Sequence, residues 1–330
     1  MRFSAPKSDL LATVTNAAKG ASKNGVEAVL MHLLITLVGD ELTVTGTDNQ
    51  IAIRETMKVD GKQDGSAAIL ADLLTDTLIG VQTSKVDTVE VAASESNQVT
   101  ITSGAAVSYT LHARSAEAFP NIQPLDGSNS MVASGALLRE IAKKVQSVAS
   151  ATGGLSTYEE VFVEGTATDL EVCATDSVRL AHLAIPKGST GLEFLSKFRV
   201  LVPIRVLKTV AGLVRPDDKV SVTFTDQEGV FRFRTTELRG RLSDKTFPNF
   251  RSILPKSQST NVIVETSAFL NSLKGVMVTA KDSKNKVFVD FAADKLTISS
   301  TSPELGEATR EVEAAVTGKA LEKDLRLAFN

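Results

Sequence analysis

A single cysteine, Cys173, stands in 330 residues, and tryptophan is absent. One thiol allows no internal disulfide and no cysteine-based zinc site. Its alternation with Leu170 and Val172 makes it a strand residue rather than a reactive nucleophile. Aromatic residues make up only 5% of the chain. No apolar run is long enough to span a bilayer, and the N-terminus carries no secretory signal, so no membrane contact and a reducing, cytoplasmic location are expected. The formal net charge of −3 excludes a chain that is basic overall, though not a locally basic surface. What is plentiful is apolar material, 42% of residues, enough for the packed cores of two or three domains at this length.

Catalytic constellations are also missing. His32, His112 and His182 fall in predicted strands with apolar neighbours, and none accompanies a nucleophile motif, so each reads as a core or surface histidine. Asp48 and Asp176 recur in equivalent positions, which invites a metal or acid–base reading. Both follow strands at tight turns, where aspartate commonly accepts bonds from its own backbone, and that structural reading is preferred. Gly153-Gly154 lacks the spacing of a phosphate loop, and no dinucleotide fingerprint is present. No catalytic residue, metal ligand or cofactor is expected.

The sequence repeats itself. Gly46-Thr47-Asp48 recurs 128 residues later as Ala174-Thr175-Asp176, and Phe119-Pro120-Asn121 recurs at the same offset as Phe247-Pro248-Asn249. Two unrelated markers with one offset mean a duplicated domain. A third copy shows at Leu296 to Thr301, with Ser302 in place of the aspartate. The expected divisions are domains over 1–118, 129–246 and 259–330, joined by linkers at 119–128 and 247–258. Helices are predicted at Ser8 to Lys19, Ala71 to Val81, Ser134 to Ala149, Pro203 to Val214 and near Ser267 to Val278. Between them lie alternating strands, among them Leu42 to Thr47, Leu170 to Ala174 and Val178 to Ile185. The fold class is α+β, each domain carrying two helices and antiparallel strands. By analogy with the second domain, the third is expected to lack a helix and about three strands, roughly 40 residues, so the chain reads as a fragment.

Cations gather on two helices of the second repeat. Arg139 and Lys143 lie four residues apart with Lys144 beside them, and Arg205, Lys208 and Arg215 lie close to one stripe. Such rows can meet a phosphate backbone without reading bases, or can simply be a solvated face. The first repeat offers less: Lys7, Lys19 and Lys23 near its first helix, Asp72 and Asp76 on its second.

Taken together, Met1-Arg2-Phe3 with Leu10-Leu11, Leu42 to Asp48, Phe119-Pro120-Asn121, Ala174 to Ala181 and Phe247 to Pro255 resemble the bacterial β sliding clamps, the processivity subunits of replicative DNA polymerase. The resemblance implies three similar domains per chain and a head-to-tail homodimeric ring around double-stranded DNA, with helices lining the hole. It implies no enzymatic activity. It moves Lys23, Arg139, Lys143, Lys144, Arg205, Lys208 and Arg215 to the DNA-facing side, bound without regard to sequence. It also implies a pocket for short linear peptides of DNA polymerase, clamp loader and repair proteins. Thr175, Ser177, Val178, Arg179 and Leu180 match its lip and floor, Pro248 and Ile253 match positions in the second linker, and Tyr158 matches a further wall. Relatives commonly have glycine and histidine where Ser177 and Val178 stand. Relatives also oppose basic residues of domain one to acids of domain three. Glu304 and Glu307 match the acids, but Asp72, Ala105 and Val107 occupy the basic side. A monomeric peptide-binding adaptor of the same fold is the alternative reading.

Overall fold

The computed structural model describes residues 1–24, 27–81, 87–94, 96–105, 107–122, 130–149, 159–194, 197–283, 285–319 and 326–329. These form two compact units, Met1–Pro248 and Asn249–Asn330.

Five α-helices occur among the described residues. In the first unit α1 spans Lys7–Ala18 and α2 spans Ala71–Gly80, while α3 covers Gly135–Ala149 and α4 covers Ile204–Leu213. In the second unit α5 covers Thr266–Ala280. Each of the first four buries one stripe. In α1 the stripe is Leu10, Thr13, Val14 and Ala17, at the i, i+3, i+4, i+7 spacing of one helical face. In α4 it is Val206, Leu207, Val210 and Leu213. Pro6 and Pro203 sit immediately before α1 and α4, where the missing N–H costs nothing.

The strands of the first unit form two sheets. One contains fourteen strands among the described residues and runs continuously from Glu193–Phe194 at one edge to Asp60–Gln63 at the other. The other contains Leu180–Pro186, Asp169–Thr175, Glu160–Gly165 and Phe198–Pro203 in that order. The long sheet is continuous because Thr236–Arg241 pairs antiparallel with Ile51–Lys58, Leu238 opposite Ile53 and Thr236 opposite Glu55. The two repeats in this unit therefore share backbone hydrogen bonds as well as side-chain packing. Two apolar clusters lie under the helices. One surrounds Val14, Leu42 and Leu78, and the other surrounds Val145, Phe231 and Val210. In the second unit α5 packs on a five-stranded sheet in the order Thr260–Val264, Gly306–Gly318, Lys295–Ser302, Val287–Phe291, Arg326–Phe329.

The predicted strand from Val178 to Ile185 begins at Leu180 instead, because Val178 and Arg179 belong to a turn. Five strands of the first unit have no counterpart in the sequence reading: Asp60–Gln63, Gly65–Leu70, Ser130–Ser134, Glu193–Phe194 and Phe198–Pro203. Cys173, read as a strand residue, lies buried in the strand Asp169–Thr175, and His32 is also buried. Burial holds the His32 imidazole below its ordinary pKa, and its Nδ1 lies 2.8 Å from the Ala28 carbonyl. His112 is exposed.

Where the two halves of the long sheet meet, Glu55 is buried with Thr236 Oγ1 donating to its Oε1 at 2.7 Å. Burial pushes this carboxyl above its usual range, against the smaller opposing effect of the Thr236 bond. A carboxyl with a raised folded pKa favours folding at low pH, and that advantage disappears as pH rises through the raised value. Glu55→Gln keeps an acceptor for the Thr236 hydroxyl and removes the charge. Its thermal midpoint should therefore rise relative to wild type progressively as pH increases. A difference independent of pH, measured by calorimetry from pH 4 to 8, would contradict this account.

Candidate functional site

The basic face is built by α3 and α4 packed side by side. α3 starts where Ser134 Oγ accepts the Leu137 N–H at 3.2 Å, a capping interaction that fixes its first turn. Leu137, Leu138, Ile141, Ala142 and Val145 point inward, which forces Arg139, Lys143 and Lys144 outward. On α4 the same logic exposes Arg205 and Lys208. Between the two outer faces runs a groove of about 660 Å³ bordered by Arg139, Lys143, Gln146, Lys208 and Gly212.

These cations differ in what holds them. Arg139 donates from Nη1 to the carbonyls of Ala211 and Val214, both at 3.2 Å, and so caps the end of α4. Arg205 is ion-paired with Asp48 Oδ2, and Lys144 Nζ lies 2.6 Å from Glu140 Oε1. Lys143, Lys208, Arg215 and Lys23 have exposed side chains with no ion-pair partner among the described residues. Exposed pairs are weak, so Lys144 remains available to another anion. Arg139 and Arg205 carry a structural task as well.

The lip residues of the second repeat form one hydrogen-bonded loop. Thr175 Oγ1 donates to the Arg179 carbonyl at 2.9 Å and accepts the Ser177 N–H at 3.2 Å. Asp176 Oδ1 accepts the N–H groups of Val178 at 3.0 Å and Arg179 at 2.6 Å. Its Oδ2 receives Arg179 Nε at 2.8 Å. The Arg179 backbone N–H and then its side chain hold the Asp176 carboxyl below its usual range. The loop thus presents Val178 outward, 89% exposed, with Arg179 fixed beside it and Leu180 beginning the next strand. Pro248 is exposed at the end of the first unit. Ile253, in the second unit, is 68% exposed after a short 3-10 turn at Phe250–Ser252. Tyr158 lies outside the described residues.

The same loop occurs at Asp48. Thr47 Oγ1 donates to the Ile51 carbonyl at 2.9 Å, and Asp48 Oδ1 accepts the N–H groups of Gln50 and Ile51. Both aspartates therefore hold turns, as their sequence context indicated. In the third copy Ser302 Oγ accepts the N–H groups of Glu304 and Leu305, so serine keeps the turn where aspartate is replaced. No group of three or more metal-ligating side chains occurs among the described residues, and no described helix is long and apolar enough to cross a membrane.

Ser177 adopts φ 75° and Asn49, its counterpart, φ 68°. Asparagine tolerates this left-handed region; serine does so at a cost, and a β-branched residue at a larger one. Ser177→Val should therefore lower stability by about 1–2 kcal/mol in urea unfolding, whereas Ser177→Gly should be neutral or slightly stabilising. Equal behaviour of the two variants would show that the turn is not under backbone constraint.

Two helix pairs, α1 with α2 and α3 with α4, each packed on antiparallel strands, together with a turn common to all three repeats, define a clamp-type architecture. Profiles described as the N-terminal and C-terminal domains of the DNA polymerase III beta subunit match residues 1–123 and 251–330. The beta sliding clamp of Treponema pallidum is 22% identical over 324 residues, covering 97% of this chain and 86% of that protein. The beta sliding clamp of Bacillus subtilis is 24% identical over 341 residues, covering 100% and 88%. The crystal structure of the Bacillus subtilis sliding clamp superposes with a TM-score of 0.91 at 22% identity, covering 100% of this chain and 87% of that one. The chain belongs to the DNA polymerase III β-subunit family, the bacterial sliding clamps.

Proposed function

We propose that this protein is a non-catalytic clamp that encircles duplex DNA and tethers a replicative polymerase to it. The chain then consists of three clamp domains, over 1–118, 129–246 and 259–330, and two copies form the ring. The observation that carries the reading is the outward row Arg139, Lys143, Lys144, Lys208 on α3 and α4, cations aligned over a sheet-backed pair of helices. Together with Lys23, Arg205 and Arg215 they supply sequence-independent charge, and contacts to phosphate alone let a ring slide because no base contact must break. The Thr175–Leu180 loop, with Pro248, Ile253 and Tyr158, is the proposed dock for short peptides of polymerase, clamp loader and repair proteins. An exposed apolar tip beside a fixed guanidinium suits a peptide with one apolar anchor and a polar flank.

Topology is the test. After loading onto nicked circular DNA by a clamp loader, the protein should stay bound through gel filtration and be released when the circle is cut once. Equal release from circle and linear DNA would leave a peptide-binding adaptor and remove the clamp reading.

A further inference from the structure

We infer that this chain carries a second peptide-docking site, at the Asp48 loop, that takes an extended acidic segment of a partner protein. The site follows from the repeat. The loop from Thr47 to Ile51 and the loop from Thr175 to Arg179 have the same internal hydrogen bonds and the same left-handed residue. Each is followed in sequence by its own Phe-Pro-Asn linker, at Phe119 and at Phe247. The first loop is complete within one compact unit, where it borders a cavity of about 520 Å³ with Pro120 and Ile122 on one wall and Gln227 and Arg241 on another. That size falls among ligand pockets, which run roughly 300–1,000 Å³.

The walls are pinned before anything binds. The Arg241 backbone N–H donates to the Gln50 carbonyl at 2.9 Å, fixing the loop against the strand Thr236–Arg241. Arg54 Nη2 donates to the Ile122 carbonyl at 3.1 Å, fixing the linker. A preformed site loses less ordering entropy when a flexible segment enters it.

Its chemistry differs from that of the other loop. Asn49 and Gln50 stand exposed where the later loop has Ser177 and the apolar Val178. Carboxamides donate and accept in one plane, which suits the peptide groups of an extended backbone. Among the wall charges, Arg239 lies 3.9 Å from Glu228 and 2.8 Å from Glu237. Arg241 is exposed and has no ion-pair partner among the described residues. The uncompensated charge is positive, and a carboxylate is its natural complement.

The experiment is selection from a random linear heptapeptide phage library on the immobilised full chain, with the Arg241→Glu variant as the counter-selection surface. Selected peptides, labelled with fluorescein, are then titrated by anisotropy. Peptides enriched in Asp or Glu are expected, with affinity reduced at least about tenfold by Arg241→Glu, several-fold by Gln50→Ala, partly restored by Arg241→Lys and unchanged by Val178→Asp. Circular dichroism of each variant excludes unfolding as the cause, and Arg241→Gln replaces any variant that fails this check. Three results overturn the inference: no peptide that discriminates wild type from Arg241→Glu, unchanged binding to Gln50→Ala, or loss on Val178→Asp. The last would place the peptides at the later loop and leave the proposed function intact. Conversely, failure of topological retention on DNA would not affect the Asp48 site.

Discussion

Reversing two charges, Lys143→Glu with Lys208→Glu, should reduce retention on nicked circular DNA by on the order of a hundredfold at moderate salt. These two side chains border one groove, are exposed, and have no carboxylate partner among the described residues. Their charge is therefore available to phosphate, whereas Arg139 and Arg205 are engaged by the end of α4 and by Asp48. Each phosphate contact contributes about 0.9 to the slope of log affinity against log salt, so losing two should flatten that slope by about 2. The comparison that gives the result meaning is Arg205→Ala. That change removes one cation but also an ion pair joining α4 to the Asp48 turn, so it should lower the thermal midpoint as well as retention. Lys143→Glu with Lys208→Glu should leave the unfolding free energy within about 0.5 kcal/mol of wild type. A double variant that binds circular DNA with an unchanged salt slope would show that DNA does not pass this face.

Much of this arrangement is legible in the residues themselves. Strands such as Ile51–Lys58 and Gln98–Ser103 announce themselves because one face is buried and the other less so, leaving alternation in the sequence. α3 and α4 are legible for the same reason at helical spacing, which also places their cations outside. Gly65–Leu70 is not legible: Ala67, Ala68 and Ile69 are consecutive buried residues, so both faces are covered and the alternation disappears. Phe198–Pro203 ends in a proline that announces the following helix and masks the strand before it. The apolar character of Val178 predicts a strand residue, yet it stands 89% exposed at the tip of a turn. The signal that contradicts the strand is the Thr-Asp pair before it, whose side chains satisfy the backbone that a strand partner would otherwise satisfy.

Tertiary partners left no trace at all in the sequence. Nothing near Arg205 indicates Asp48, which precedes it by more than one repeat, and nothing near Glu55 indicates Thr236. The cavity beside Gln50 is a middle case. The 128-residue offset that reveals the duplicated domain also relates the two loops and the two linkers. Applied to the pocket as well as to the fold, it points to the earlier loop. The walls contributed by Gln227 and Arg241 come from the second repeat, however, and only the shared sheet brings them there.

The repeat also predicts where the copies cannot be interchanged. Gly46 corresponds to Ala174, so Gly46→Ala merely restores the residue found 128 positions later, yet it should cost about 3 kcal/mol. A Cβ at position 46 would press on the carbonyl oxygen of Ala17, at the end of α1, and on Leu33 Cδ2 at 2.8 Å. The approach is matched from the opposite side, where a Cβ on Gly20 would lie 2.5 Å from the Gly46 carbonyl oxygen. The chain leaving α1 therefore crosses the strand Glu41–Thr47 with no room for a side chain on either backbone. Leu33 can change rotamer, but the Ala17 carbonyl belongs to the last turn of a helix whose Leu10, Val14 and Ala17 are locked in the core. Adding Leu33→Ala to Gly46→Ala should consequently deepen the loss, because it removes packing without moving the backbone. Ala174 is fully buried and accepts its methyl group, so the reverse change, Ala174→Gly, should cost only about 1 kcal/mol. Urea unfolding of the three variants tests the asymmetry. Equal costs at positions 46 and 174 would mean that α1 shifts to make room, and rescue by Leu33→Ala would mean that the clash is with that side chain alone.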